Sequence, residues 1–279
     1  MKIILAGTPE FSVPIFETII NNFEVVAIVS QPDKQANRGY KVIPTPVKLL
    51  AKKYNIPLYQ PNKIGEIYQE LSQIDFDVLL TCAFGQYIPS KVLKLAKKCA
   101  INIHGSLLPK YRGAAPIQYS LLNNDPITGI SLIYMTDEMD AGDILETATL
   151  DIDARDTSDS LFVKMSNLAQ KNIVNWLNNI QNNQINPIKQ DASKVALSPK
   201  LKKEDALLTN DLTCDLAYNK IRAFSSNPGA YIIQNNKRIK IYYAAKEKLH
   251  PNALKLDFCD GCLYAIDYQF ESKKRVVLE

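Results

Sequence analysis

Apolar runs of five to eight residues alternate with helix-like stretches through the first hundred positions, and this alternation leaves few architectures open. Residues 2–6, 24–30, 77–84 and 99–103 read as strands, separated by periodic segments at 13–22, 46–54 and 63–73. Such a pattern predicts an α/β fold with a doubly wound, mostly parallel sheet. Sheets of this kind bind ligands outside the carboxyl ends of their strands. Gly7-Thr8-Pro9 follows the first run without the Gly-x-Gly-x-x-Gly spacing of a phosphate loop, so it reads as a backbone turn at the rim of that crevice.

The fourth run ends in Asn102-Ile103-His104-Gly105-Ser106-Leu107-Leu108-Pro109, and His104 is one of only two histidines in the chain. With a period of two, Asn102 and His104 project from one strand face and meet one ligand. An imidazole moves a proton near neutral pH, and a carboxamide donates to an oxygen that gains negative charge. Together they suit acyl-type transfer. A further strand-like run at 129–135 leads into Asp137-Glu138-Met139-Asp140-Ala141-Gly142-Asp143, from which a carboxylate could orient the imidazole. Pattern alone does not choose among Asp137, Glu138, Asp140 and Asp143.

Downstream, 159–183 is helix-like with Leu161, Met165, Leu168, Ile173 and Leu177 as its apolar positions. The polar, proline-punctuated segment 185–199 reads as a linker between a catalytic domain, 1–184, and a smaller domain, 200–279. In the latter a helix at 211–224 precedes short strand-like runs at 230–234, 238–244, 262–267 and 275–278, the pattern of a small barrel.

Composition excludes several classes. A chain of 279 residues, 46% hydrophobic and 22% charged, is ordinary for a globular protein. No apolar run approaches the roughly 20 residues of a membrane span and no signal pattern opens the chain, so a cytoplasmic location is expected. Five cysteines without framework spacing predict reduced thiols. Cys259-Asp260-Gly261-Cys262 reads as a hairpin turn and not as half of a metal site, and no metal is expected. Lysines and arginines balance acids at 19 each through residue 198, whereas residues 199–279 hold 14 against 10. Between 33 and 53, Lys34, Arg38, Lys41, Lys48, Lys52 and Lys53 oppose only Asp33. An exposed basic loop there and a basic second domain suit a polyanion.

The run Asn102 to Gly113, followed by Met139-Asp140-Ala141-Gly142-Asp143-Ile144-Leu145, resembles the formyltransferase family that uses 10-formyltetrahydrofolate. Residues 3–11, Gln31-Pro32-Asp33-Lys34 and Pro44-Thr45-Pro46-Val47-Lys48 resemble the branch that acts on methionyl-tRNA. The resemblance implies a Rossmann-like catalytic domain with an OB-like C-terminal barrel, and a catalytic trio of Asn102, His104 and Asp140. It implies a folate site at Ser106, Leu107, Leu108 and Pro109 with Phe84, Gly85, Tyr87 and Ile88 nearby. Arg38 and Lys41 of the basic loop are the implied tRNA contacts. The expected co-substrate is 10-formyltetrahydrofolate with tetrahydrofolate as product, and the expected acceptor is initiator methionyl-tRNA; a monomer with no membrane partner is expected. Tyr111-Arg112-Gly113 is left without a role. Two departures from the family pattern concern the second domain: Ser225-Ser226-Asn227-Pro228 lacks an aromatic found in many relatives, and the domain is short.

Overall fold

The computed structural model describes residues 1–35 and 42–278. In chain order the first elements are β1 (Lys2–Gly7), α1 (Val13–Asn22), β2 (Glu24–Val29), the short antiparallel pair β3 (Lys34–Gln35) and β4 (Val42–Ile43), and α2 (Pro46–Lys53). Then come β5 (Leu58–Tyr59), α3 (Tyr68–Ser72), β6 (Val78–Cys82), α4 (Ser90–Leu93) and β7 (Cys99–His104). The middle of the chain holds β8 (Arg112–Gly113), α5 (Pro116–Leu122), β9 (Ile127–Tyr134), β10 (Ile144–Asp151) and α6 (Ser158–Gln181). The last elements are β11 (Leu197–Ser198), α7 (Cys214–Phe224), β12 (Ala230–Gln234), β13 (Lys237–Ala245), β14 (Leu254–Phe258), β15 (Gly261–Phe270) and β16 (Val276–Val277).

Two compact units result. The first comprises residues 1–112, 129–150 and 163–196, and the second 113–128, 151–162 and 197–279. The first is organised by a seven-stranded sheet of order β10-β9-β7-β6-β1-β2-β5. Pairings from β5 to β7 are parallel, and β9 adds antiparallel to β7. Parallel strands are covered on both faces, which is why β1 and β6 read as unbroken apolar runs. Ile3, Ile4, Leu5, Ala6, Val78 and Leu80 are all fully buried.

From the central β1 the chain winds outward through β2 and β5, then returns to β6 and β7 on the other side. The order therefore reverses between β1 and β6, with Gly7 opposite Cys82 at the carboxyl edge. Asn102 and His104 end the next strand along. Helix α1 buries Ile15, Phe16 and Ile19, and α2 starts where Thr45 caps the Lys48 N–H at 3.2 Å and buries Val47, Leu50 and Ala51. The helix expected at 63–73 is divided: a 3-10 turn at Ile64–Ile67 precedes α3. Gly65 lies inside that turn against Pro89, and glycine weakens a continuous α-helix by about 1 kcal/mol. Along α6, Met165, Ile173 and Leu177 are fully buried as expected, whereas Leu168 is only partly so.

The second unit contains an antiparallel sheet of order β12-β13-β15-β14, with β16 beside β15. The expected OB-like barrel is not closed among the described residues. β16 is only two residues long and pairs with β15 without joining the sheet's ends; at one of those ends the Leu208 N–H bonds the Tyr231 carbonyl of β12 at 2.8 Å. Cys259 and Asp260 form the β14–β15 turn, as the hairpin reading expects.

Helix α7 carries a buried cation, Arg222, which is 2% exposed. Its guanidinium donates to the carbonyls of Asp153, Ala154 and Asp156 at 3.3–3.5 Å and to the side-chain oxygens of Asn124 and Asn219 at 3.1 and 2.9 Å. These bonds fasten the 153–156 connection and the end of α5 to α7. Losing the donor takes a charged partner from the buried bonds to Asp156 and Asn219, so Arg222→Met is expected to lower unfolding stability by about 3 kcal/mol in denaturant titration. A loss under about 1 kcal/mol would contradict the role assigned to these bonds.

Candidate active site

β7 buries Ala100, Ile101, Ile103 and His104 and leaves Asn102 half-buried, and its two polar side chains, two residues apart, point to one face. The amide of Asn102 is oriented by Thr81 on β6, whose hydroxyl donates to Asn102 Oδ1 at 2.7 Å. An oxygen held in this way leaves the NH₂ to face the other side. That side holds Asp140, with Asn102 Nδ2 at 3.5 Å from its Oδ1. Two residues on, His104 Nδ1 lies 3.5 Å from Asp140 Oδ2. The trio implied by the resemblance is thus brought together about one carboxylate.

The imidazole is 5% exposed and both ring nitrogens are engaged, because Nε2 lies 2.8 Å from the Tyr111 carbonyl. A carbonyl only accepts, so Nε2 carries hydrogen and Nδ1 is the nitrogen that faces the carboxylate. This contact is an ion pair when the imidazole is protonated on both nitrogens.

Asp140 is singled out from its acidic neighbours by the backbone. Asp137 bonds Ser90, and Glu138 pairs with Arg112 Nη1 at 3.0 Å. Asp140 itself sits at φ +53°, in the left-handed region. Two residues later the chain passes so close to β9 that a Cβ on Gly142 would lie 1.9 Å from the Tyr134 carbonyl oxygen. Only glycine permits that approach, and the next residue closes the turn with Tyr134 N–H to Asp143 O at 3.0 Å.

The expected folate residues divide into two sets. Ser106 and Leu108 are buried, with Ser106 Oγ donating to the Lys110 carbonyl at 2.6 Å and the Leu108 N–H bonding Ser131 Oγ at 3.1 Å. Phe84 and Ile88 belong to the core cluster with Ile4, Ala6 and Leu79. Leu107, Pro109, Gly85 and Tyr87 keep exposed or half-exposed surface, Tyr87 at 67%. Beside the second segment an open depression of about 600 Å³ is walled by Asn62, Lys63, Gly65, Glu66, Gln86, Tyr87, Pro89 and Lys91; it includes none of the trio.

Cys82 ends β6 near this edge, but burial pushes its thiol up to about 12, so it stays protonated at neutral pH and is no nucleophile. Among the described residues no group of three or more His, Cys, Asp or Glu side chains is placed to hold a metal. Nor is any helix there long and apolar enough to cross a membrane.

Arg38 and Lys41 lie outside the described residues, but both ends of their loop are described. The Asp33 carboxylate accepts from the Gln60 amide at 2.9 Å and the Thr45 N–H at 3.3 Å, and it pairs with Lys48. The Lys48 ammonium, then Gln60, hold that carboxyl below the ordinary aspartate range, so it is charged at neutral pH. Lys48 and Lys53 of the basic cluster are paired, with Asp33 and Glu17. Sequence reasoning missed Thr81 and Gln190. A lone threonine in the apolar strand Val-Leu-Leu-Thr-Cys was the available signal for the first; Gln190 lies in the segment read as a linker and carried none.

Comparison with known proteins places the chain. Residues 1–177 match the family model for formyl transferase, and 200–277 match that for the formyl transferase C-terminal domain. The methionyl-tRNA formyltransferase of Mycoplasmopsis pulmonis is 55% identical over 279 residues, covering 100% of this chain and 96% of its own. That of Mycoplasma mycoides subsp. mycoides is 44% identical over 244 residues, covering 86% of this chain and 77% of its own. Among solved structures, an N-formyltransferase from Helicobacter canadensis, in complex with folinic acid and dTDP-3-aminofucose, shares the fold. It aligns with a TM-score of 0.71 at 21% identity, covering 97% of this chain and 100% of that one. With both of its parts matched and a relative this similar along its whole length, the chain belongs to the formyltransferase family.

Proposed function

We propose that this enzyme transfers the formyl group of 10-formyltetrahydrofolate to the α-amino group of initiator methionyl-tRNA, acting as a monomer in the cytoplasm. The observation that carries the chemistry is the contact of one carboxylate with an amide and an imidazole from a single strand face. Full-length similarity to relatives named for methionyl-tRNA supports the acceptor.

The folate supplies an activated formyl carbonyl. Leu107, Pro109, Gly85 and Tyr87 fit a flat ring through the apolar surface they leave open, while Ser106, Leu108, Phe84 and Ile88 hold the two segments in shape. As the amine lone pair adds to the formyl carbon, Asn102 Nδ2 donates to the carbonyl oxygen that takes the displaced electron pair. A positioned donor of this kind is worth roughly 10² to 10³ in rate. His104 adds positive charge beside that oxygen when doubly protonated. Asp140 orients the imidazole and accepts the proton that the amine sheds; the imidazolium gives a proton to the folate nitrogen as its bond to the formyl carbon breaks, and Asp140 passes its proton back to Nδ1. One proton enters and one leaves, and the trio is restored. Residues 1–184 form the catalytic part of this reading. Arg38 and Lys41, on a loop whose base Asp33 clamps, and the basic part 200–279 after a linker at 185–199, would hold the tRNA by its phosphates.

The direct test is transfer of labelled formyl to methionyl-tRNA, free methionine and an amino-sugar nucleotide in parallel. Transfer to the charged tRNA alone is expected; transfer only to the sugar nucleotide would move the enzyme to another branch of the family. Asn102→Ala, His104→Ala and Asp140→Asn are each expected to lower turnover by about 10² or more in a folded protein, and near-normal turnover of His104→Ala would sink the mechanism. Replacing Arg38 and Lys41 together with alanine is expected to raise KM for tRNA and to flatten its dependence on salt, and an unaltered salt slope would remove the loop from the interface.

A further inference from the structure

The turn that carries the carboxylate at the centre of the site is closed by the Ala141 N–H to the Glu138 carbonyl at 3.4 Å, and it is held further by a side chain from outside it. Asp140 occupies a left-handed conformation, and the carbonyls of Asp140 and Gly142 are both met by one side chain from far along the chain. Gln190 Nε2 donates to Asp140 O and to Gly142 O, each at 2.8 Å. Its Oε1 accepts from Arg112 Nε at 3.0 Å, and Arg112 reaches on to Glu138 at the start of the same turn. Gln190 is 8% exposed. The strand of chain that carries it is fixed two residues earlier, where Ile188 and Ile144 exchange antiparallel hydrogen bonds of 2.8 Å. Thus part of the segment with a linker's composition is strapped along the loop that delivers the catalytic acid, and the Arg112 of the unassigned Tyr-Arg-Gly motif is its second anchor.

We propose that Gln190, braced by Arg112, is a positioning residue for formyl transfer. It uses both amide hydrogens to set the 138–142 turn so that Asp140 faces His104 and Asn102 at once. The proposal rests on the reading of Asp140 given above. A side chain held 3.5 Å from two partners has little latitude, and a displacement near 1 Å can cost about 10² in rate.

Three substitutions test it. Gln190→Leu keeps the volume and removes both donors; Gln190→Glu keeps an acceptor for Arg112 but sets a carboxylate against two carbonyls; Gln190→Asn keeps an amide one methylene too short and serves if the leucine variant does not fold. Each is expected to lower kcat by about 10-fold to 100-fold with KM for folate and for tRNA changed less than about threefold, since no substrate contact is lost. In an Asp140→Asn background the same changes should lower kcat little further, which a merely structural role would not produce. A folded Gln190 variant with kcat within twofold of wild type, beside an Asp140→Asn enzyme that is strongly impaired, would overturn the proposal and leave the mechanism standing. Restoration of kcat by Gln190→Glu would also overturn it, by showing that pairing Arg112 is what counts. Full turnover in Asp140→Asn would instead overturn the mechanism, and the positioning role with it.

Discussion

The contact between Asp140 and the two polar side chains of one strand is the constraint from which the rest of this site follows. A carboxylate that meets both an amide and an imidazole must approach along the strand face, and it must do so where strands end and backbone donors are not consumed by the sheet. The fold meets the second requirement by topology. Reversal of strand order at β1 and β6 opens a crevice at the carboxyl edge, and β7 brings Asn102 and His104 to that edge. It meets the first by chain geometry, since β9 pairs antiparallel with β7 and releases the 137–142 turn beside His104.

Burial makes the arrangement demanding. An imidazole 5% exposed cannot rely on water, so its two nitrogens are served by the Tyr111 carbonyl and by Asp140. Leaving either partner out would cost about 1–3 kcal/mol for a buried polar group. The same economy explains the polar lattice around the trio. Thr81 fixes which end of the Asn102 amide faces the reaction, and Ser131 satisfies both the Leu108 N–H and the Ser106 carbonyl, fixing the turn that follows His104. None of these groups needs to touch a substrate to matter, because each removes a freedom that the catalytic side chains would otherwise have.

Much of this was legible in the chain. Buried parallel strands announce themselves as apolar runs, so β1, β2, β6 and β7 were read within one or two residues, and period two put Asn102 and His104 on one face. What the sequence conceals is non-local. The choice of Asp140 over its acidic neighbours depends on a positive φ and on the approach of Gly142 to β9, neither of which has a periodicity. β14 was missed although Leu-Lys-Leu-Asp-Phe alternates with the period of a half-buried strand; it is only five residues long and is held by pairing with β15. Helix α5 was missed because it is only two turns long and is secured by packing on α7. Closure of the C-terminal sheet was expected from short strands at regular spacing, yet closure depends on strand length and edge pairing, which spacing does not encode.

The claim that three residues act through one carboxylate is tested most directly by a double-mutant cycle on turnover. Wild type, His104→Ala, Asp140→Asn and the double variant would be compared at saturating folate and methionyl-tRNA. If imidazole and carboxylate form one unit, the double variant is slowed little beyond the more damaging single change. Losses that multiply across the pair would mean that the two side chains act independently, and the account of the site built on their contact would be wrong.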